Sequence, residues 1–96
     1  MKRLEQDEIV RALSLVPGWR IEGGRLVREF HFADFVGSIA FVDRIAVLAE
    51  AAGHHPDIDI RYNRVLLGLV THDAGGLTTK DFDLAKGASR EFQSDK

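Results

Sequence analysis

Residues 57–70, DIDIRYNRVLLGLV, limit the possible fold more than any other stretch of this chain. Ile58, Ile60 and Tyr62 alternate with Asp57, Asp59 and Arg61, the period of a strand with one face buried. Residues 65–70 follow as an apolar, partly β-branched run. With Asn63-Arg64 as a two-residue turn, Tyr62 faces Val65, Ile60 faces Leu67 and Ile58 faces Leu69. All three pairs are apolar, so this register is the expected one.

A second hairpin is predicted upstream. Segments 19–22 and 25–32 are separated by Gly23-Gly24, and pairing across that turn sets Ile21 opposite Leu26 and Glu22 opposite Arg25. Three helices complete the pattern. Ile9, Ala12, Leu13 and Val16 recur at helical spacing behind the acidic residues Glu5, Asp7 and Glu8, and Pro17-Gly18 ends that helix. Asp34 caps a long helix that Gly53 can terminate in a left-handed conformation. Phe35, Ile39, Val42, Ala46 and Ala49 form one stripe on it; Val36, Ala40 and Val47 lie beside, and Phe41, Ile45 and Leu48 add another. A helix this apolar is expected to be buried on more than one side, the second facing another subunit or partly absorbed by a two-layer core. In the last helix Thr78 is the N-cap, Asp81 its capping-box partner, and Leu77 with Phe82 the hydrophobic staple. Leu84, Ala85 and Ala88 continue its buried face. The order α-β-β-α-β-β-α describes an α+β fold, an antiparallel sheet with helices packed on one face. Residues 1–96 are expected to form a single domain.

Composition narrows the function classes. A chain with 45% hydrophobic and 29% charged residues can bury a core, and a formal net charge of −2 offers no basic surplus for nucleic acid. The absence of cysteine excludes disulfides, thiolate zinc sites and cysteine nucleophiles. Charges in the first residues argue against a signal peptide, and no run approaches the roughly 18 apolar residues of a membrane span. A cytoplasmic protein is expected.

Three of the four histidines, His54, His55 and His72, flank the second hairpin. Carried outward, the 63–64 turn places His55 opposite His72 and His54 opposite Asp73, on rungs where Cα atoms are about 4.5–5.5 Å apart. The imidazoles should therefore converge at the hairpin's open end, with His55 and His72 on the face away from Ile58 and Ile60. Glu50, one turn before His54, can reach the same place, and Gly75-Gly76 lets the chain approach closely. Imidazole gives and takes protons near neutral pH, so two of them around a substrate can act as general acid and base. A shared metal ion is disfavoured, because adjacent residues of extended chain point to opposite faces. Elsewhere structural roles suffice: Trp19 in the core with Arg28 stacked on it, His31 exposed on an edge strand, Asp57 and Asp59 on the solvent face, and Asp81 as a cap alone.

The motifs E-x₃-H-H-P from Glu50, R-Y-N-R-V from Arg61, T-H-D from Thr71 and T-x-x-D from Thr78 resemble those of the pterin-4a-carbinolamine dehydratases. So do Gly18-Trp19, the F-x-F-x-D-F of Phe30 to Phe35, and the order of elements; the likeness spans nearly the whole chain. The resemblance implies a four-stranded antiparallel sheet and assembly as a homodimer or homotetramer. It implies dehydration of 4a-hydroxytetrahydrobiopterin to quinonoid dihydropterin, which recycles the cofactor of aromatic amino acid hydroxylases, with no cofactor or metal of the enzyme's own. His54, His55 and His72, with Glu50, would carry the chemistry; the pterin would lie against Gly53, Val70, Thr71 and Asp73. One position departs from the pattern: Ile58 stands where many relatives have Trp. The alternative reading is a non-catalytic binding module, a dimerisation cofactor that uses its apolar helix surface.

Overall fold

The computed structural model describes residues 2–94 and contains three helices and four strands. In order these are α1 (Gln6–Leu13), β1 (Arg20–Glu22), β2 (Arg25–His31), α2 (Phe35–Ala52), β3 (Asp57–Arg61), β4 (Arg64–Leu69) and α3 (Thr79–Ser94), with one 3₁₀ turn at His72–Ala74. The strands form one antiparallel sheet in the order β1-β2-β4-β3. The α+β architecture is the expected one. Among the described residues no helix is long and apolar enough to cross a membrane.

The first hairpin has the expected register, Ile21 opposite Leu26 and Glu22 opposite Arg25. Gly23 and Gly24 both take positive φ, 58° and 78°, which only glycine adopts without cost in this tight turn. Because β2 also pairs with β4, it is an interior strand. His31 therefore does not lie on an edge strand as expected; it is exposed at the end of an interior one, 2.8 Å from Glu29.

The second hairpin is displaced by two residues from its expected register. Ile60 faces Val65, Ile58 faces Leu67 and Arg61 faces Arg64, so the turn is Tyr62-Asn63. Tertiary bonds explain why. The Asn63 side chain donates to the Phe32 carbonyl, the Phe32 amide donates to the Asn63 carbonyl, and the Ser38 hydroxyl donates to the Tyr62 carbonyl. These bonds commit Asn63 to the end of β2, and Tyr62 takes the left-handed conformation at φ 51° instead. A two-residue shift preserves parity, so Ile58 and Ile60 keep their inward face. Tyr62 does not pack under the helices; it is 64% exposed. On edge strand β3 even Ile58 is only partly covered.

The core lies between the sheet and the helices. Leu26, Phe30, Val65, Leu67 and Leu69 from the sheet meet Phe41 and Ile45 of α2 and Phe82, Leu84, Ala85 and Ala88 of α3. Asp34 caps α2 by accepting from the Gly37 amide, and Gly53 ends it at φ 61°. Phe35, Val36 and Val47 of that helix face outward, exposed. Trp19 is buried and its indole N–H donates to Ser89. Arg28 does not stack on Trp19; its guanidinium lies over Phe30, 4.6 Å from the ring centre, and donates to the same Ser89 hydroxyl. Burial lowers its pKa from the ordinary arginine value.

Val27 points to the opposite face of the sheet, outside this core, yet it is fully buried. Beside it on β4 is Gly68, and a Cβ built there would fall 2.4 Å from a guanidinium nitrogen of Arg25. The Arg25 side chain thus lies flat across the sheet, held at its far end by Asp57 at 3.0 Å.

The turn assignment predicts opposite responses at adjacent positions. Tyr62→Gly should leave stability unchanged or raise it by up to about 1 kcal/mol, since it relieves a left-handed non-glycine residue. Asn63→Gly should lower it by about 1–2 kcal/mol through the lost bond to Phe32. Urea denaturation measures both; a turn at 63–64 would reverse the order.

Candidate active site

Three chain reversals build the site. At the end of α2, left-handed Gly53 turns the chain so that the His54 amide bonds back to the Ala49 carbonyl. Beyond β4, a bridge between Thr71 and Gly76 closes a small loop carrying the 3₁₀ turn that holds His72 and Asp73. The start of α3 then packs beneath, with Leu77 and Thr78 buried. Together they enclose an open cavity of about 300 Å³.

His54, His55 and His72 all line this cavity, as do Gly53, Val70, Thr71 and Asp73. They do not meet by the expected cross-strand pairing. The β3–β4 ladder ends at Asp57 opposite Gly68, and His72 sits on the 3₁₀ turn beyond it. His55 and His72 are thus not cross-strand partners; the loop, not the ladder, delivers His72. Glu50 is not a wall of the cavity but bonds to His55 from outside.

The three imidazoles differ in their surroundings. The His54 side chain is only 11% exposed, and its Nε2 lies 2.6 Å from Oδ1 of Asp81, which is fully buried. The other carboxylate oxygen, Oδ2, accepts from the Thr78 amide at 2.9 Å and the Thr71 hydroxyl at 2.8 Å. His55 makes its own carboxylate pair, Nε2 to Glu50 Oε2 at 2.5 Å, but both side chains are largely solvated. The His72 side chain has no hydrogen-bond partner among the described residues and is exposed. An imidazole that donates Nε2–H to a carboxylate keeps a lone pair on Nδ1, the arrangement of an oriented base. An unpartnered imidazole is free to follow a ligand. Among the described residues no group of three or more His, Asp or Glu side chains is placed to hold a metal ion.

Asp81 was expected to serve as a cap alone. It does cap, since its carboxylate holds the Thr78 amide, but its other oxygen holds His54, which is twenty-seven residues away in sequence. Only the T-x-x-D motif carried that signal, and its capping role hid the second one. Lys80 also lines the cavity. In sequence it is an ordinary first-turn residue with nothing to single it out.

A histidine-lined cavity where the loop after α2, the segment after β4 and the start of α3 meet is the site this small α+β fold presents. Residues 2–90 match the family model described as Pterin 4 alpha carbinolamine dehydratase. A protein of Chloroflexus aurantiacus named "Putative pterin-4-alpha-carbinolamine dehydratase" is 61% identical over 85 residues, 88% of this chain and 91% of that one. One of the same name from Acidobacterium capsulatum is 56% identical, covering 88% and 92%. The crystal structure of a transcriptional coactivator/pterin dehydratase from Brucella melitensis superposes with a TM-score of 0.89 at 35% identity, over 94% of this chain and 98% of that one. A pterin dehydratase-like protein described as a RuBisCO assembly factor in the alpha-carboxysome gives a TM-score of 0.67 at 26% identity, covering 78% and 89%. This chain belongs to the pterin-4a-carbinolamine dehydratase family, whose named activity is that of a hydro-lyase.

The two carboxylate–imidazole pairs should respond differently to substitution. Asp81→Ala strands the Thr78 amide and the Thr71 hydroxyl in a buried place and should cost about 2–4 kcal/mol. Glu50→Gln, at the surface, should change stability by less than about 0.5 kcal/mol. Denaturant midpoints of the two variants provide the check.

Proposed function

We propose that this protein removes water from 4a-hydroxytetrahydrobiopterin to give quinonoid dihydropterin, by general acid and base catalysis at its histidines. The observation that carries this reading is one cavity lined by three imidazoles, one locked to a buried carboxylate, one paired at the rim and one unpartnered. The names of the relatives support the same reaction. The substrate must lose the hydroxyl on C4a and the proton on the adjacent N5, so two proton transfers are needed at neighbouring atoms. His54, oriented by Asp81, offers Nδ1 to take the N5 proton; His72, free to move, delivers a proton to the departing hydroxyl. His55 with Glu50 positions the ring. Gly53, Val70 and Thr71 supply walls for a flat bicycle, and the Asp73 carboxylate suits the amino and N–H groups of the pterin edge. Ile58, which stands where many relatives have Trp, is not among the cavity walls. The reaction calls for no redox cofactor, and the protein would work in the cytoplasm.

We also propose a homo-oligomer, dimer or tetramer. Phe35, Val36 and Val47 on the outer side of α2 are 50%, 74% and 70% exposed, an apolar face that a second copy would cover. The same face would serve the second reading, a non-catalytic binding module, which the assembly role described for the RuBisCO-associated neighbour brings to mind for this fold. Turnover of a 4a-carbinolamine separates the two.

His54→Ala and His72→Ala should each lower kcat by about 10²–10⁴-fold, and the double variant by more. His55→Gln, which keeps a hydrogen-bonding amide, should chiefly raise KM. Steady-state dehydration kinetics test the assignment, and wild-type turnover in both single alanine variants refutes it. Sedimentation at micromolar concentration should give a mass of two or four chains; Val36→Asp with Val47→Asp should return it to one.

A further inference from the structure

Behind His54 lies a chain of hydroxyls whose proton directions are fixed by counting donors and acceptors. A threonine hydroxyl has one proton to give. Thr71 gives it to Oδ2 of Asp81, 2.8 Å away, because an ionised carboxylate can only accept. The 2.8 Å contact between the Thr71 and Thr78 hydroxyls must then be donated by Thr78. Thr78 Oγ1, its own proton committed, accepts from the Lys80 amide in the first turn of α3 at 3.2 Å. Every proton therefore points toward the carboxylate: amide to Thr78, Thr78 to Thr71, Thr71 to Asp81. The Thr78 amide adds a further donor on Oδ2 at 2.9 Å. With Oδ2 held by two donors, the carboxylate plane cannot turn, and Oδ1 is left facing His54 Nε2 at 2.6 Å. Thr78 and Asp81 are both fully buried, so water does not compete for these groups.

We infer that Thr71 and Thr78 are positioning residues for His54: through Asp81 they fix its imidazole as the Nε2–H tautomer and keep the Nδ1 lone pair available. Thr71 lines the cavity, yet its proton is spent on Asp81, so it has none to donate to a ligand. Its contribution to turnover is made through His54. The kinetic part of this inference rests on the proposed dehydration; the tautomer part does not.

The test is ¹⁵N–¹H correlation spectroscopy of the histidine rings in the neutral state, read beside steady-state kinetics. In the wild type, His54 should show a protonated Nε2 and a bare Nδ1. Thr71→Val keeps the shape and removes the hydroxyl; its His54 should show both tautomers, with kcat lowered about tenfold and KM within about twofold of wild type. Thr71→Ser restores the hydroxyl and should restore both the single tautomer and kcat. A wild-type His54 protonated on Nδ1 overturns the inference. So does a Thr71→Val protein with the wild-type tautomer, one with an altered tautomer but unchanged kcat, or a Thr71→Ser protein as impaired as Thr71→Val. If Thr71→Val does not fold, the wild-type and Thr71→Ser spectra decide alone. A wild type that fails to turn over the carbinolamine removes the proposed function, while the spectra still decide the tautomer.

Discussion

The buried carboxylate of Asp81 is the point at which three separately folded pieces of this chain are joined. It holds an amide at the start of α3, a hydroxyl at the end of β4, and an imidazole from the loop after α2. A charged oxygen pair without solvent is costly unless each lone pair is matched, so the three partners are mutually dependent. Loss of any one leaves the others facing an unsatisfied charge. The same demand that closes the helix terminus therefore aims the imidazole. Stability and chemistry share one set of atoms here, which is why a residue that reads as a simple cap also orients a site residue.

The solvated pair, His55 with Glu50, follows other rules. Both partners can exchange their contact for water at little loss, so the pair restrains a ring without fixing it. One cavity thus combines a rigid imidazole, a loosely tethered one and an unpartnered one. That gradation is what the proposed dehydration asks for, one group preorganised and another following the leaving hydroxyl.

Much of this was legible in the sequence because it is written in local patterns. Gly23-Gly24 set the first hairpin, Asp34 and Gly53 bounded α2, and the alternation of Ile58 and Ile60 marked the inward face of β3. The cluster of His54, His55 and His72 could be anticipated as well, though for a partly mistaken reason. The second turn differs by one position because propensity favours Asn63 as its first residue, while bonds to Phe32, thirty-one residues away, make it the second. Pairing of His54 with Asp81 and the inward position of β2 likewise depend on contacts between distant segments. Periodicity cannot report such contacts, since it describes each element alone.

On the far face of the sheet, Arg25 lies across Gly68 beside fully buried Val27, tethered by Asp57. The arginine covers the backbone at Gly68 so closely that a Cβ there would meet its guanidinium. What an ion pair contributes by attraction fades with ionic strength, whereas what the burial of a valine contributes does not. A charged surface pair here borders a fully buried apolar side chain. The sheet's open side should accordingly stay closed to water in concentrated salt, where an ordinary surface ion pair would have come apart.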